Sequence, residues 1–238
     1  MIDLYAMGSP NVVKIYIALE EMGLPYTVHP VDVFAEEQFS PEFLKLSPSA
    51  KVPVIVDSEG PGGKPYTVFE SGAILQYLAD KTGKLLAQDG PARYDALQWM
   101  MVQMTGIGPM WGQYVHFWRF APPGNDYALD RYRTQVRRTL DVTEKRLAAS
   151  PYLGGAEYSI ADIATFPWLR ATGMFLGKEV EPEYPKIMAW VAGIAARPAV
   201  VKAIAAVDEV RGKVTQFDKA GAEAMDRVFG RGKYNAAA

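Results

Sequence analysis

The sequence predicts a two-part fold, an α/β unit of order βαβαββα followed by an all-α unit. Three observations carry this. Over residues 1–83 short β-branched runs alternate with amphipathic segments. A polar connection follows, from Lys81-Thr82-Gly83 to Gln88-Asp89-Gly90-Pro91. From Ala92 onward the apolar residues recur with helical period. The chain of 238 residues is long enough for two domains of ordinary size.

The elements are justified in order. Ile2 to Ala6 is a strand that enters a turn at Met7-Gly8-Ser9-Pro10. From Asn11, the positions Val12, Ile15, Leu19 and Met22 step by three and four, and Gly23 supplies the residue that ends a helix in the left-handed conformation. Tyr26 to Val31 is a second strand, and Ser40-Pro41-Glu42 starts a short helix with proline in its first turn. Val52 to Val56 and Tyr66 to Phe69 are two β-branched or aromatic runs separated by Gly60-Pro61-Gly62-Gly63, which predicts a hairpin. Ser71 caps a third helix through Ala79.

Beyond the connection, one long helix is expected from Ala92 toward Phe120. Another carries Tyr132, Val136, Leu140, Thr143 and Leu147 on one stripe. Ser159-Ile160-Ala161-Asp162 is a capping signal, with serine covering backbone amides and aspartate in the positively polarised first turn. It is read as a folding signal. The domains are expected at residues 1–83 and 92–207, with 208–238 a loosely specified tail laid over the body, punctuated by Gly212, Gly221, Gly230 and Gly232.

Composition excludes several function classes. A net charge of -2, with 25 basic and 27 acidic residues spread along the chain, offers no concentrated basic face for nucleic acid. No segment approaches the length and hydropathy of a membrane span, and the N-terminus has no basic stretch leading into an apolar run, so a cytoplasmic location is expected. The chain has no cysteine, which removes protein disulfides, thiolate ligands and a cysteine nucleophile. Any sulfur chemistry must use a borrowed thiol. His29 and His116 lie far apart without metal-binding spacing, so no metal is expected, and Gly-x-Ser-x-Gly is absent.

Three features at element ends carry the chemistry: the turn Ser9-Pro10-Asn11, Val52-Pro53 before the third strand, and Glu70-Ser71 before the third helix. A proline ahead of a strand cannot donate to the ladder, and with a cis peptide Val52 turns its backbone out toward an extended ligand. Ser71 at a helix start offers a hydroxyl and amides to an anion, while Glu70 can receive an ammonium group. The pair suits the amine and carboxylate of an amino-acid end. Each feature also has an ordinary turn or capping explanation, and their joint occurrence is the argument.

The order Ser-Pro-Asn, Val-Pro, Phe69-Glu70-Ser71-Gly72-Ala73-Ile74-Leu75 and Ser-Ile-Ala-Asp resembles a cytosolic glutathione transferase over residues 1 to 205. Gln38-Phe39, Leu97-Gln98-Trp99, Gly108-Pro109-Met110, Gly112-Gln113, His116-Phe117 and Asp130-Arg131-Tyr132 narrow the resemblance to the bacterial nu class. It implies a thioredoxin-like first domain, an all-helical second domain and a homodimer. It further implies that Asn11 and Ser9 face the glutathione sulfur, Val52 beside Pro53 its cysteine backbone, and Glu70 and Ser71 its γ-glutamyl group. Gln38, Lys51 and Arg131 are implied at its remaining polar or carboxylate ends. The class carries threonine where this chain has Ser9, so the hydroxyl is kept and its rotamer restriction is weakened. Of the aromatic residues at helical spacing, most are expected in the core, and Trp111, Tyr114 and His116 are assigned to an acceptor pocket.

Neutral side chains can activate such a thiol. Lowering a thiol pKa of ~8.5 by ~1.5 requires about 2 kcal/mol of preference for the thiolate. The helix N-terminus contributes roughly 0.3 to 1 kcal/mol, and hydrogen bonds from Asn11 and Ser9 can contribute the rest. The expected activity is reduction of small disulfides, with organic peroxides as further substrates, by two glutathione molecules. Conjugation to an electrophile, glutathione-dependent ether cleavage, and a non-catalytic binding protein are the competing readings.

Overall fold

The structure is a computed structural model that describes residues 1–231. Its described residues form two compact units, Met1–Leu78 together with 201–231, and Ala79–Val200.

The first unit is built on a four-stranded mixed sheet of order β2-β1-β3-β4, with β1 Ile2–Ala6, β2 Tyr26–Pro30, β3 Val54–Asp57 and β4 Tyr66–Phe69. β1 runs parallel to β2 and antiparallel to β3, and β4 runs antiparallel to β3. Alternation along β1 buries Ile2, Leu4 and Ala6. Helix α1, Pro10–Met22, is almost wholly enclosed, from Val12 through Leu19, and ends on left-handed Gly23 as the sequence predicts. Helix α2, Pro41–Leu46, is capped by the Ser40 hydroxyl accepting from the Phe43 amide, and helix α3 spans Ser71–Thr82. The expected thioredoxin-like βαβαββα order is present.

The second unit holds α4 Gly90–Val102, α5 Gly108–Val115, α6 Asp126–Ala149, α7 Ile160–Leu169, α8 Thr172–Leu176 and α9 Pro185–Ala195. The single helix expected from Ala92 to Phe120 is interrupted by two π turns, Gln103–Ile107 and His116–Phe120. Helix α6 buries Val136, Leu140, Thr143 and Leu147, four of the five residues on the predicted stripe. Helix α7 lies in the core, and its start is closed by the predicted capping box of Ser159 and Asp162.

Helix α10, Pro198–Arg211, continues past the point where the sequence reads as loosely specified, and α11, Ala222–Phe229, follows. This C-terminal segment folds back on residues 32–39. The Thr215 amide donates to Asp32 Oδ2 at 2.7 Å, Arg227 pairs with Glu36 at 3.2 Å and stacks over Phe39, and Phe229 meets Phe34. The Gly232 position and the terminal Ala236-Ala237-Ala238 lie outside the described residues. Among the described residues no single helix is long and apolar enough to cross a membrane.

Candidate functional site

Strand register brings the predicted loops to one end of the sheet. Tyr5 at the end of β1 pairs with Val54 at the start of β3, and Val54 pairs with Phe69 at the end of β4. The Ser9-Pro10-Asn11 turn, the Lys51-Val52-Pro53 approach and Glu70-Ser71 therefore leave the sheet side by side. β2 runs parallel to β1, and the Val31 amide donates to the Ala6 carbonyl, so the loop carrying Gln38 starts from the same end. Eight of the sequence-predicted residues, all in the first unit, are thus gathered by topology.

Backbone conformation marks the same loops. Among the described residues the non-glycine positions with positive φ are Glu36, Ala50, Glu70 and Leu85. The first three flank Gln38, Lys51 and Ser71. A left-handed residue other than glycine costs of order 1 kcal/mol or more, and such positions cluster where a fold holds a ligand. Nothing in the identities of Glu36 or Ala50 announces this.

Each side chain has a local cause for its place. Ser9 precedes α1 in an extended conformation, and its hydroxyl makes no capping hydrogen bond. Pro10 has no N–H to be capped, so the half-buried hydroxyl and the exposed Asn11 side by side are placed at the positive end of the helix. The Val52–Pro53 peptide is cis. Ser47, fully buried, donates to the Lys51 carbonyl at 2.9 Å and so fixes the loop from which exposed Lys51 projects. Gln38 is buried: its Nε2 donates to the Val33 carbonyl at 3.1 Å, while its Oε1 has no protein partner. Glu70 is exposed and Ser71 is buried at the start of α3.

Two residues that sequence reasoning missed belong to this end of the unit. Lys14 is 1% exposed, although it lies on a helix, and its Nζ donates to Ser71 Oγ at 3.3 Å. Burial holds its pKa down at about 7 against the opposing pull of the Glu70 carboxylate. Arg211, at the end of α10, lies against Gly8, where a Cβ would collide with its side chain, and pairs with Asp208. Only the break in helical amphipathicity, a charge amid Val13, Ile15 and Ile17, could have pointed to Lys14.

The predicted residues of the second unit are placed differently. Trp111 and Tyr114 of α5 are wholly buried, the Tyr114 hydroxyl donating to the Phe175 carbonyl at 3.0 Å. His116 starts a π turn and sits edge-on to Phe117, half-buried, and Arg131 is exposed on α6. Of the three aromatic residues assigned to an acceptor pocket, His116 alone keeps accessible surface. Among the described residues no cluster of three or more His, Asp or Glu side chains could hold a metal ion.

The comparisons with known proteins agree on the family. Residues 8–81 match the glutathione S-transferase N-terminal domain and residues 109–198 the glutathione S-transferase C-terminal domain. The chain is 46% identical over 206 residues, 86% of this chain and 94% of the relative, to disulfide-bond oxidoreductase YfcG of Escherichia coli. A glutathione transferase family member from Pseudomonas fluorescens, crystallised with two glutathione bound, superposes with a TM-score of 0.82 at 46% identity, covering 85% of this chain and 92% of that one. A glutathione transferase from Pseudomonas putida, with one glutathione disulfide per subunit, gives 0.81 at 43% identity, covering 85% and 90%. With a sheet whose loops converge at one end, an all-helical second unit and these matches over most of its length, the chain belongs to the glutathione S-transferase family.

Proposed function

We propose that this protein is a glutathione-dependent disulfide reductase of the cytoplasm, working as a homodimer. The observation that carries the reading is a chain with no cysteine that is 46% identical to a disulfide-bond oxidoreductase, with structural relatives that hold two glutathione molecules or one glutathione disulfide. A site that takes two tripeptide thiols can do without a protein thiol. The first glutathione thiolate attacks one sulfur of the substrate disulfide, giving a mixed disulfide and releasing one substrate thiolate. The second attacks the glutathione sulfur of that intermediate, giving glutathione disulfide and the other substrate thiolate. The two protons lost by glutathione end on the two product thiols, and no metal is needed.

In this reading residues 1–83 hold glutathione and residues 92–207 supply the acceptor pocket. Asn11 and Ser9 donate hydrogen bonds to the attacking sulfur at the start of α1. Val52, beside Pro53, pairs with the cysteine backbone, Glu70 and Ser71 take the γ-glutamyl ammonium and carboxylate, and Gln38, Lys51 and Arg131 meet the remaining polar groups. His116 lines the acceptor pocket. The homodimer is supported by large side chains left exposed in each unit, Tyr66 and Phe69 on edge strand β4 and Tyr94 and Met101 on α4.

Steady-state rates with hydroxyethyl disulfide, an organic hydroperoxide and an aromatic halide test the assignment. Disulfide turnover is expected to exceed the other two. A disulfide rate no greater than that of glutathione alone would overturn it, and aromatic halide turnover in excess of the disulfide rate would move the assignment to conjugation.

A further inference from the structure

Lys14 is a buried amine in a place where helix α1 could have carried another apolar residue, since Val13, Ile15, Tyr16 and Ile17 around it are all buried. Its Nζ donates to Ser71 Oγ. A hydroxyl oxygen that accepts from an amine keeps its own proton to donate elsewhere. Ser71 is the first residue of the 12-residue helix α3, whose N-terminal amides favour an anion. The stack from the interior outward is therefore amine, hydroxyl, then the position of an incoming carboxylate.

We propose that Lys14 is a positioning residue for the γ-glutamyl carboxylate, acting through the Ser71 hydroxyl, and that it takes up a proton as that carboxylate arrives. The inference rests on the glutathione reading above and adds a charge to it. Without ligand, burial favours the neutral amine and the Glu70 carboxylate opposes it, which holds the pKa down at about 7. Of the charged groups on α1 and α10, Glu20 and Glu209 raise the pKa of Tyr26 and Tyr16, and Lys202 pairs with Glu20. A bound carboxylate one hydroxyl away adds a second negative charge and tips Lys14 to the ammonium form. Its pKa is raised in the complex, so affinity is greatest below pH 7 and falls as pH rises above the free value, by up to about tenfold per pH unit.

The probe is S-methylglutathione, which has the γ-glutamyl end and no ionisable thiol. Calorimetric titrations of the whole protein at pH 7 in buffers of differing ionisation enthalpy give the protons exchanged on binding. A net fraction of a proton is expected to be taken up, since a group whose pKa lies near the working pH is only partly charged before binding. Lys14→Arg carries a fixed charge and is expected to bind without that uptake and with an affinity flat from pH 6.5 to 8.5. Lys14→Met is expected to lose the uptake and to bind about tenfold more weakly at pH 6.5. Any uptake by the ligand's own amine persists in both variants and is subtracted. Binding by the wild-type protein with no uptake, or with uptake unchanged in the variants, overturns the role of Lys14 and leaves the glutathione reading standing. Failure of the wild-type protein to bind the probe at millimolar concentration overturns both.

Discussion

Ser9 and Ser159 each open a helix, and they are used in opposite ways. At α7 the Ser159 hydroxyl accepts from the Ala161 amide, and Asp162 accepts from the Ser159 amide and hydroxyl, the Leu153 amide and Trp190 Nε1. The Ser159 carbonyl accepts from the Asp162 and Ile163 amides, and the Ile160 amide reaches the Leu85 carbonyl. Nothing is left for a ligand, and the whole arrangement is buried. At α1 the Ser9 hydroxyl caps nothing, Pro10 removes one donor, and Asn11 is exposed. A helix start whose polar groups are consumed internally serves the fold, whereas one whose serine hydroxyl makes no capping bond can serve chemistry.

The sharpest way to separate the two is to remove Asp162. Its carboxylate collects four hydrogen bonds at 2.9 to 3.0 Å in a buried setting. Asp162→Ala strands those donors, and at about 1 kcal/mol or more for each the loss of unfolding free energy is expected to reach about 3 to 4 kcal/mol. Chemical denaturation measures it. A loss below 1 kcal/mol would mean that the network is idle and that the contrast with α1 is wrong.

At the other helix start the expected effect is smaller and falls on rate. Asn11→Ala is expected to lower kcat/KM for disulfide reduction about ten- to a hundredfold, equivalent to about 1.4 to 2.7 kcal/mol, because a donor to a thiolate is worth more than one to a neutral group. Glutathione affinity is expected to change less than threefold, and the pKa of the bound thiol to rise. An unchanged thiol pKa, read from thiolate absorbance, would remove Asn11 from the sulfur.

How much of this was legible depends on what the residues had to signal. The strands Ile2–Ala6 and Tyr66–Phe69, the α1 glycine stop and the Ser159-Asp162 box were readable because local chemistry dictates each of them. The convergence of the loops was not, since it follows from strand register. Lys14 was hard to read for a different reason: helical patterning assigns a lysine to solvent, its one signal is a charge amid apolar neighbours, and packing on the first unit's core shows that it is enclosed. The left-handed Glu36, Ala50 and Glu70 lack the glycine that advertises such a conformation. The C-terminal segment read as loosely specified because its anchors are distant in sequence: Thr215 is held by Asp32, and Arg227 by Glu36 and Phe39.

The smallest effects give the cleanest contrast, because the same substitution is made at both helix starts. Ser159→Ala removes a hydroxyl that caps the Ala161 amide and donates to Asp162, so a loss of about 1 kcal/mol is expected. Ser9→Ala removes a hydroxyl with no capping bond, and stability is expected to stay within about 0.5 kcal/mol. Rate should reverse the order, with Ser9→Ala slowing disulfide turnover severalfold and Ser159→Ala leaving the folded enzyme's kcat unchanged. Ser9→Thr separates the hydroxyl from its freedom: the added methyl restricts χ1, so turnover is expected to match or modestly exceed that of the parent. If Ser9→Ala instead destabilises the protein as much as Ser159→Ala does and leaves turnover untouched, the α1 turn is a cap like the other, and the thiolate must be held by Asn11 and the helix terminus alone.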